Sequence, residues 1–167
     1  MGIKTFVNGF EKFIHPLSNL LLTIATCTLA AMMFLTATDV ALRYVFNSPI
    51  PGALEIVEYM MGILIPFALV YTARQRAHIG VDLVIEHFSD RVRKIISIVT
   101  VFMTFVLFVL ITWQGYYYII EHYDSNLTSS VLYIPVWPFI ILFTVGMAAL
   151  TLVLLAEFLG SLSEVNS

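Results

Sequence analysis

Charged residues are almost absent from four long apolar segments of this chain, residues 17–38, 56–73, 95–120 and 136–156. The segments make up about half of the 167 residues, which include 8 Lys and Arg and 11 Asp and Glu, yet only Glu58 lies inside one of them. As a helix rising about 1.5 Å per residue, each segment is about the length needed to cross a hydrocarbon core of about 30 Å. The pattern predicts an all-α integral membrane protein with four transmembrane helices.

Composition and residue spacing argue against several functional classes. The chain is 60% hydrophobic and 11% charged, whereas soluble domains are about 25% charged. A net charge of −3 leaves no basic patch for nucleic acid. The four His residues lie outside the apolar segments without the spacing of haem or metal ligands, and Cys27 has no second Cys for a disulfide. With no catalytic motif either, we predict a chain that is not an enzyme and holds no cofactor.

The basic residues predict an orientation. Four crossings place both termini and the segment after the second span on the same side of the membrane. All Lys and Arg residues outside the spans lie on that side except Arg43. Because cytoplasmic segments carry the excess of Lys and Arg, we expect both termini in the cytoplasm.

The sequence predicts a single membrane domain with two further amphipathic segments, one in the N-terminal arm and one in the cytoplasmic loop between the second and third spans. Apolar residues recur at helical spacing in the N-terminal arm, which predicts an interfacial helix that turns at Pro16 into the membrane. A helix that binds a partner protein is the alternative. The loop between the second and third spans has a similar pattern. The predicted parts are the arm 1–16, the spans 17–42, 53–73, 95–120 and 136–159, the cytoplasmic loop 74–94 and, on the opposite side, the loop 121–135.

Four charged residues cluster where the first two spans meet the same interface. Asp39 and Arg43 have the i, i+4 spacing of a helical ion pair. Glu58 lies about one turn inside the second span, and Glu55 precedes it on roughly the same face. A carboxylate at membrane depth needs a partner or water, and Arg43 could reach any of the three acidic residues. The cluster is either an ion or proton site or a structural clamp, and we favour the clamp because no second polar cluster completes a path across the membrane.

An ordered set of positions runs from the end of the first span into the cytoplasmic loop: Asp39, Arg43-Tyr44, Phe46-Asn47, Pro49, Gly52, Glu55, Glu58, Arg74, His78-Ile79 and Val81-Asp82. In order and spacing this set resembles the small membrane subunit of tripartite ATP-independent periplasmic (TRAP) transporters. Chain length, four spans and cytoplasmic termini are similar along nearly the whole chain. One departure is the run of Gln75, Arg76 and Ala77, where many members carry a Gly between the Arg and the His.

The resemblance implies partners that the residues alone do not. Such subunits pair with a large multi-span membrane subunit, and a periplasmic substrate-binding protein delivers a small organic anion to the pair. The anion class includes dicarboxylates, sialic acid and sulfonates, and import is by sodium symport. The large subunit holds the substrate and sodium sites, while the small subunit braces its scaffold. The resemblance therefore implies a location in the bacterial inner membrane, contact with lipids, and no cofactor in this chain.

The resemblance also implies which residues matter. They are Asp39, Arg43, Asn47, Pro49, Glu55, Glu58, Arg74, His78 and Asp82, which we expect to clamp helices or to contact another subunit or lipid. Residues 44–54 and 121–135 are the candidates for contact with the binding protein. The alternative function is a self-sufficient small oligomeric transporter or channel with Glu58 in its pathway.

Overall fold

Four helices make up nearly all of the described chain. A computed structural model describes residues 2–75 and 90–165, and its helices are α1 (Gly2–Phe46), α2 (Ala53–Arg74), α3 (Asp90–Asp124) and α4 (Trp137–Val165). Segments long and apolar enough to cross a membrane are Pro16–Phe46, Ala53–Arg74, Ile98–Asp124 and Trp137–Gly160. The prediction of an all-α fold with four candidate membrane spans is confirmed.

The N-terminal arm continues directly into the first span. α1 runs through Pro16 without an interruption of the helix. Proline removes one backbone donor, but a helix tolerates that loss where the freed carbonyl finds another partner. An interfacial position for the arm and the orientation of the termini stay predictions. The predicted amphipathic segment of the loop 74–94, with His78 and Asp82, lies almost wholly outside the described residues.

Helices α1, α2 and α4 pack against one another, and α3 packs against α4 on its other side. α4 contacts all three other helices, whereas α3, in its described residues, packs extensively against α4 alone. Accordingly, the α4 span is the most buried of the four and the α3 span the least. α2 and α3 therefore stand apart, with α4 between and behind them.

Packing positions recur along α1 at intervals of three and four residues. From residue 16 onward, the buried or half-buried residues are Leu17, Ser18, Leu21, Leu22, Ala25, Thr28, Met32, Leu35, Asp39 and Leu42. This heptad spacing places one narrow stripe of the helix against its neighbours, as in left-handed helix pairs. Most of the remaining surface of residues 16–46 is exposed, as expected of a helix at the edge of a membrane protein.

The main apolar core lies in the half of the molecule that contains the Pro16 end of the first span. Its buried residues are Leu21, Ala25, Phe67, Val70, Met147, Leu150, Val153 and Leu154. A side chain at Gly146 would place its Cβ atom 2.7 Å from the Cβ of Pro66. Glycine at this position therefore lets α4 approach α2 closely, as small residues do between membrane helices.

Candidate functional site: the loop end and its groove

Two loops meet at one end of the molecule, which we call the loop end. They are residues 47–52, between α1 and α2, and residues 125–136, between α3 and α4. Asn47 follows α1 in the left-handed conformation with φ 53°, a role in which Asn substitutes for Gly. Gly52 precedes α2 with φ 75°, and a side chain there would overlap that of Leu132. The two loops are therefore in direct contact.

Asp39 ties α1 to the loop that follows it. Its Oδ2 atom accepts a hydrogen bond from Nη2 of Arg43 at 2.8 Å, and its Oδ1 atom accepts one from the backbone N–H of Ile50, also at 2.8 Å. The residue is only 6% exposed, while the Arg43 side chain is 58% exposed. A buried carboxylate is stabilised by such charge-assisted hydrogen bonds. Asp39 thus holds the 47–52 loop against the end of α1.

Glu55 holds the second loop to the first turn of α2. Its two carboxylate oxygens accept hydrogen bonds from the backbone N–H groups of Val131 at 2.8 Å and Leu132 at 3.0 Å. Negative charge at a helix N-terminus is also favoured by the helix dipole. Glu55 therefore connects two parts of the chain that are more than 70 residues apart.

The loop held by Glu55 has its own hydrogen bonds. Ser129 donates its backbone N–H to the carbonyl of Ile134 at 2.9 Å and accepts the Ile134 N–H on Oγ at 3.2 Å. A single antiparallel bridge joins Thr128 to Pro135. At the tip, Tyr133 has φ 54° and is 75% exposed. The loop is thus an internally bonded hairpin that presents an aromatic side chain to its surroundings.

Glu58 lies apart from these contacts. Its side chain is exposed, and no described residue donates a hydrogen bond to its carboxylate or forms an ion pair with it. Arg43 pairs with Asp39 rather than with Glu55 or Glu58. The three acidic residues that lie close together in the sequence therefore have different roles. Asp39 and Glu55 hold loops, and Glu58 is exposed.

Glu58 borders a groove of about 430 Å³ between α2 and α3, with α4 as its floor. Tyr59 and Phe139 stack inside it with ring centroids 4.3 Å apart. The α3 side contributes Ile111, Gln114, Gly115 and Tyr118. A void of this size is within the range of small-molecule sites, roughly 300–1,000 Å³. The groove forms because α2 and α3 both pack on α4 without extensive contact between their described residues.

Arg74 joins α1 to α2 at the opposite end of the spans. Its Nη1 atom donates to Oγ of Ser18 at 2.8 Å and to Oδ1 of Asn19 at 3.1 Å. Ser18 is completely buried. The structure thus brings Asp39 together with Arg43 and places Arg74 and Glu58 at separate sites. Pro49 and Asn47 lie exposed in the first loop.

The sequence patterns did not predict several of these contact residues. Ser18 and Asn19 interrupt the start of an apolar run, a signal that could have marked them as contact residues. Ser129 and Leu132 carry no such signal, because their contacts depend on the packing of distant segments. No group of three or more described His, Cys, Asp or Glu residues could hold a metal ion.

A protein-family model matches most of the chain. Residues 32–164 match the family described as tripartite ATP-independent periplasmic transporters, DctQ component. The matched region begins within α1 and includes the loop end, the groove and all of α2. No solved structure is similar enough to this chain to count as a match.

Two relatives agree with the family model. The chain is 26% identical to a TRAP transporter small permease protein of Haemophilus influenzae over 130 residues, which cover 75% of this chain and 79% of that protein. It is 34% identical to the C4-dicarboxylate TRAP transporter small permease protein DctQ of Vibrio cholerae over 73 residues, or 44% of this chain and 32% of the relative. With four candidate membrane spans and a family match over most of its length, the chain belongs to the DctQ family of TRAP transporter small permease subunits and is a multi-pass membrane component of a transporter, not an enzyme.

Proposed function

We propose that this subunit braces the large membrane subunit of its transporter and does not itself carry substrate. The observation that supports this role is what its acidic residues contact. Asp39 and Glu55 bind loop backbone, and Glu58 borders an apolar groove. A route for an organic anion needs polar groups along the membrane-spanning depth, and the described part of the spans has no connected chain of charged side chains.

The transport reaction we propose is import of a small organic anion by sodium symport. The large membrane subunit would hold the substrate and sodium, and a periplasmic substrate-binding protein would deliver the anion. The Vibrio cholerae relative is named for C4-dicarboxylates. This makes C4-dicarboxylates the first substrates to test, followed by sialic acid and sulfonates.

The orientation we propose places both termini in the cytoplasm and the loop end in the periplasm. The distribution of Lys and Arg supports this arrangement. The hairpin held by Glu55, with the exposed Tyr133 at its tip, would then face the binding protein. A loop already held in one conformation loses little entropy when it binds a partner, which suits a docking surface.

Reconstitution tests the bracing role. Proteoliposomes that contain this chain, the large subunit and the binding protein should take up labelled C4-dicarboxylate when a sodium gradient is imposed. We expect no uptake when this chain is omitted or when it is present alone. Uptake by this chain alone would contradict the proposal.

The groove-facing Glu58 supports one alternative, an oligomeric transporter or channel with this carboxylate in its pathway. Glu58→Gln would then change the sodium dependence of uptake. In the bracing role, the same variant leaves the sodium dependence of the assembled transporter unchanged. Sodium titration of uptake by the two assembled proteins distinguishes these functions.

A further inference from the structure

We propose that the groove beside Glu58 binds a membrane phospholipid with a primary-amine headgroup, with the amine at the Glu58 carboxylate and an acyl chain on the floor formed by α4. This site goes beyond the bracing role and does not depend on it. A carboxylate within a membrane span is costly unless it has a partner. No described residue supplies that partner. A cationic group from outside the chain would therefore pair with the Glu58 carboxylate.

Polarity changes along the groove in the way a lipid requires. Its one charged side chain, Glu58, lies near the loop end of α2, and Ile111 lies deepest on α3. Gln114 and Phe143 lie at about the same level between them, because Gly115 is next to Thr144, and most of the remaining lining is apolar. A phospholipid in the leaflet at the loop end has the same order, with the headgroup at the interface and the acyl chains toward the bilayer centre. The charged end of the groove matches the lipid headgroup, and its apolar lining matches the acyl chain. This match favours an amphiphile over a uniformly apolar occupant.

The length of the groove also favours a lipid. Its α3 wall extends from Ile111 to Tyr118, which is about 10 Å along a helix. One leaflet contributes about half of a hydrocarbon core of about 30 Å, whereas a transmembrane helix of a partner crosses all of it. The groove is therefore the size of a lipid chain segment rather than of a complete helix.

Gly62 provides a way to fill the groove without disturbing the fold. It lines the groove, and a Cβ atom at this position would meet no atom within 4 Å. Gly62→Leu should therefore occupy the space of the acyl chain. Glu58→Gln should remove only the charge that selects the headgroup.

The test uses the purified full chain, exchanged into vesicles of equal parts phosphatidylethanolamine, phosphatidylglycerol and phosphatidylcholine with identical acyl chains. After extraction in mild detergent, native mass spectrometry counts the lipids that each protein retains. We expect the wild type to retain phosphatidylethanolamine preferentially. Glu58→Gln should reduce this retention about ten-fold, the usual size of a hydrogen bond to a charged group. Gly62→Leu should abolish it.

Two variants serve as controls. Glu121→Gln removes an exposed carboxylate of α3 that does not line the groove, and Met61→Leu places a leucine beside Gly62 on an exposed part of α2. Both should retain phosphatidylethanolamine as the wild type does. Equal retention of the three lipids by the wild type, or unchanged retention by Glu58→Gln, would overturn the proposal.

A photo-crosslinking amino acid in place of Gln114 tests the same site in the assembled transporter, even if a variant above fails to fold. A crosslinked product with the mass of a phospholipid supports the proposal. A product with the mass of the large subunit would show that a protein segment fills the groove, and would overturn it.

Discussion

Glu55 and Glu58 lie one helical turn apart on α2, yet they belong to two regions with opposite character. Glu55 is engaged by two backbone N–H groups of the 125–136 loop and holds the loop end together. Glu58 borders a groove and has no partner among the described residues. The difference shows that residue type and depth do not decide the role of a carboxylate in this protein. What decides it is which segment of the chain packs against each face of α2.

The largest effect on stability is expected where the two loops touch. Gly52→Ala forces a side chain into a left-handed conformation, which costs about 1–2 kcal/mol. It also overlaps the side chain of Leu132, and such overpacking costs a further 1–3 kcal/mol, roughly. We expect a total loss of about 2–5 kcal/mol, measured by chemical unfolding in detergent micelles.

Gly62→Ala is the matched control on the groove side. Its Cβ atom meets open space in a helical backbone, so the substitution should be neutral or stabilise α2 slightly, because alanine favours helix more than glycine. Adding Leu132→Ala to Gly52→Ala should recover the part of the loss that comes from overlap. Equal effects of the Gly52 and Gly62 variants would contradict the close contact between the loops.

The next effect concerns Asp39. Asp39→Ala removes the acceptor of the Ile50 N–H as well as the partner of Arg43, and we expect unfolding to require about 2–3 kcal/mol less free energy. Arg43→Gln breaks only an ion pair whose Arg side chain is 58% exposed, so its effect should be about 0.2–1 kcal/mol. A larger effect for Arg43→Gln than for Asp39→Ala would mean that the ion pair, rather than the backbone contact, holds the loop.

A smaller and more local effect is expected at Glu55. Glu55→Gln replaces one of two acceptor oxygens with an amide donor, so the N–H groups of Val131 and Leu132 cannot both keep their partner. Hydrogen exchange should become faster at these two amides while the helices keep their protection. Hydrogen exchange followed by mass spectrometry of peptides from the 125–136 loop measures the change. Unchanged exchange there would show that the hairpin holds its shape without Glu55.

The smallest effect on the fold is expected for Glu58→Gln. This variant removes no hydrogen bond or ion pair that the described structure contains. Chemical unfolding in micelles and hydrogen exchange in the 125–136 loop should therefore both match the wild type. A marked loss of stability would place Glu58 with the structural carboxylates and remove the contrast with Glu55.

Local spacing accounts for some of the site. Asp39 and Arg43 lie one helical turn apart, so their contact depends only on α1 being a helix. Asn47 ends α1 in a conformation that Asn adopts readily. The hydrogen bond from the Ile50 N–H to the Asp39 carboxylate is harder to predict from sequence, because it depends on the path of the 47–52 loop.

Contacts between distant segments could not be predicted from the same patterns. Nothing near Glu55 in sequence indicates Val131 or Leu132, and nothing near Arg74 indicates Ser18. The helix continues through Pro16 because a single missing N–H does not have to end a membrane helix. Such contacts depend on how whole helices pack, and four apolar helices can pack in many orders.

The sequence by itself determined that the chain forms four apolar helices suited to a membrane, because each helix satisfies its own backbone hydrogen bonds and needs only its length and apolar composition to span a bilayer. Only the tertiary structure decided that α3 packs on α4 apart from α2, that Asp39 and Glu55 bind loop backbone, and that Glu58 faces a groove. The reason is physical: a carboxylate takes the donor that packing brings within about 3 Å, and packing joins residues that lie far apart in the chain.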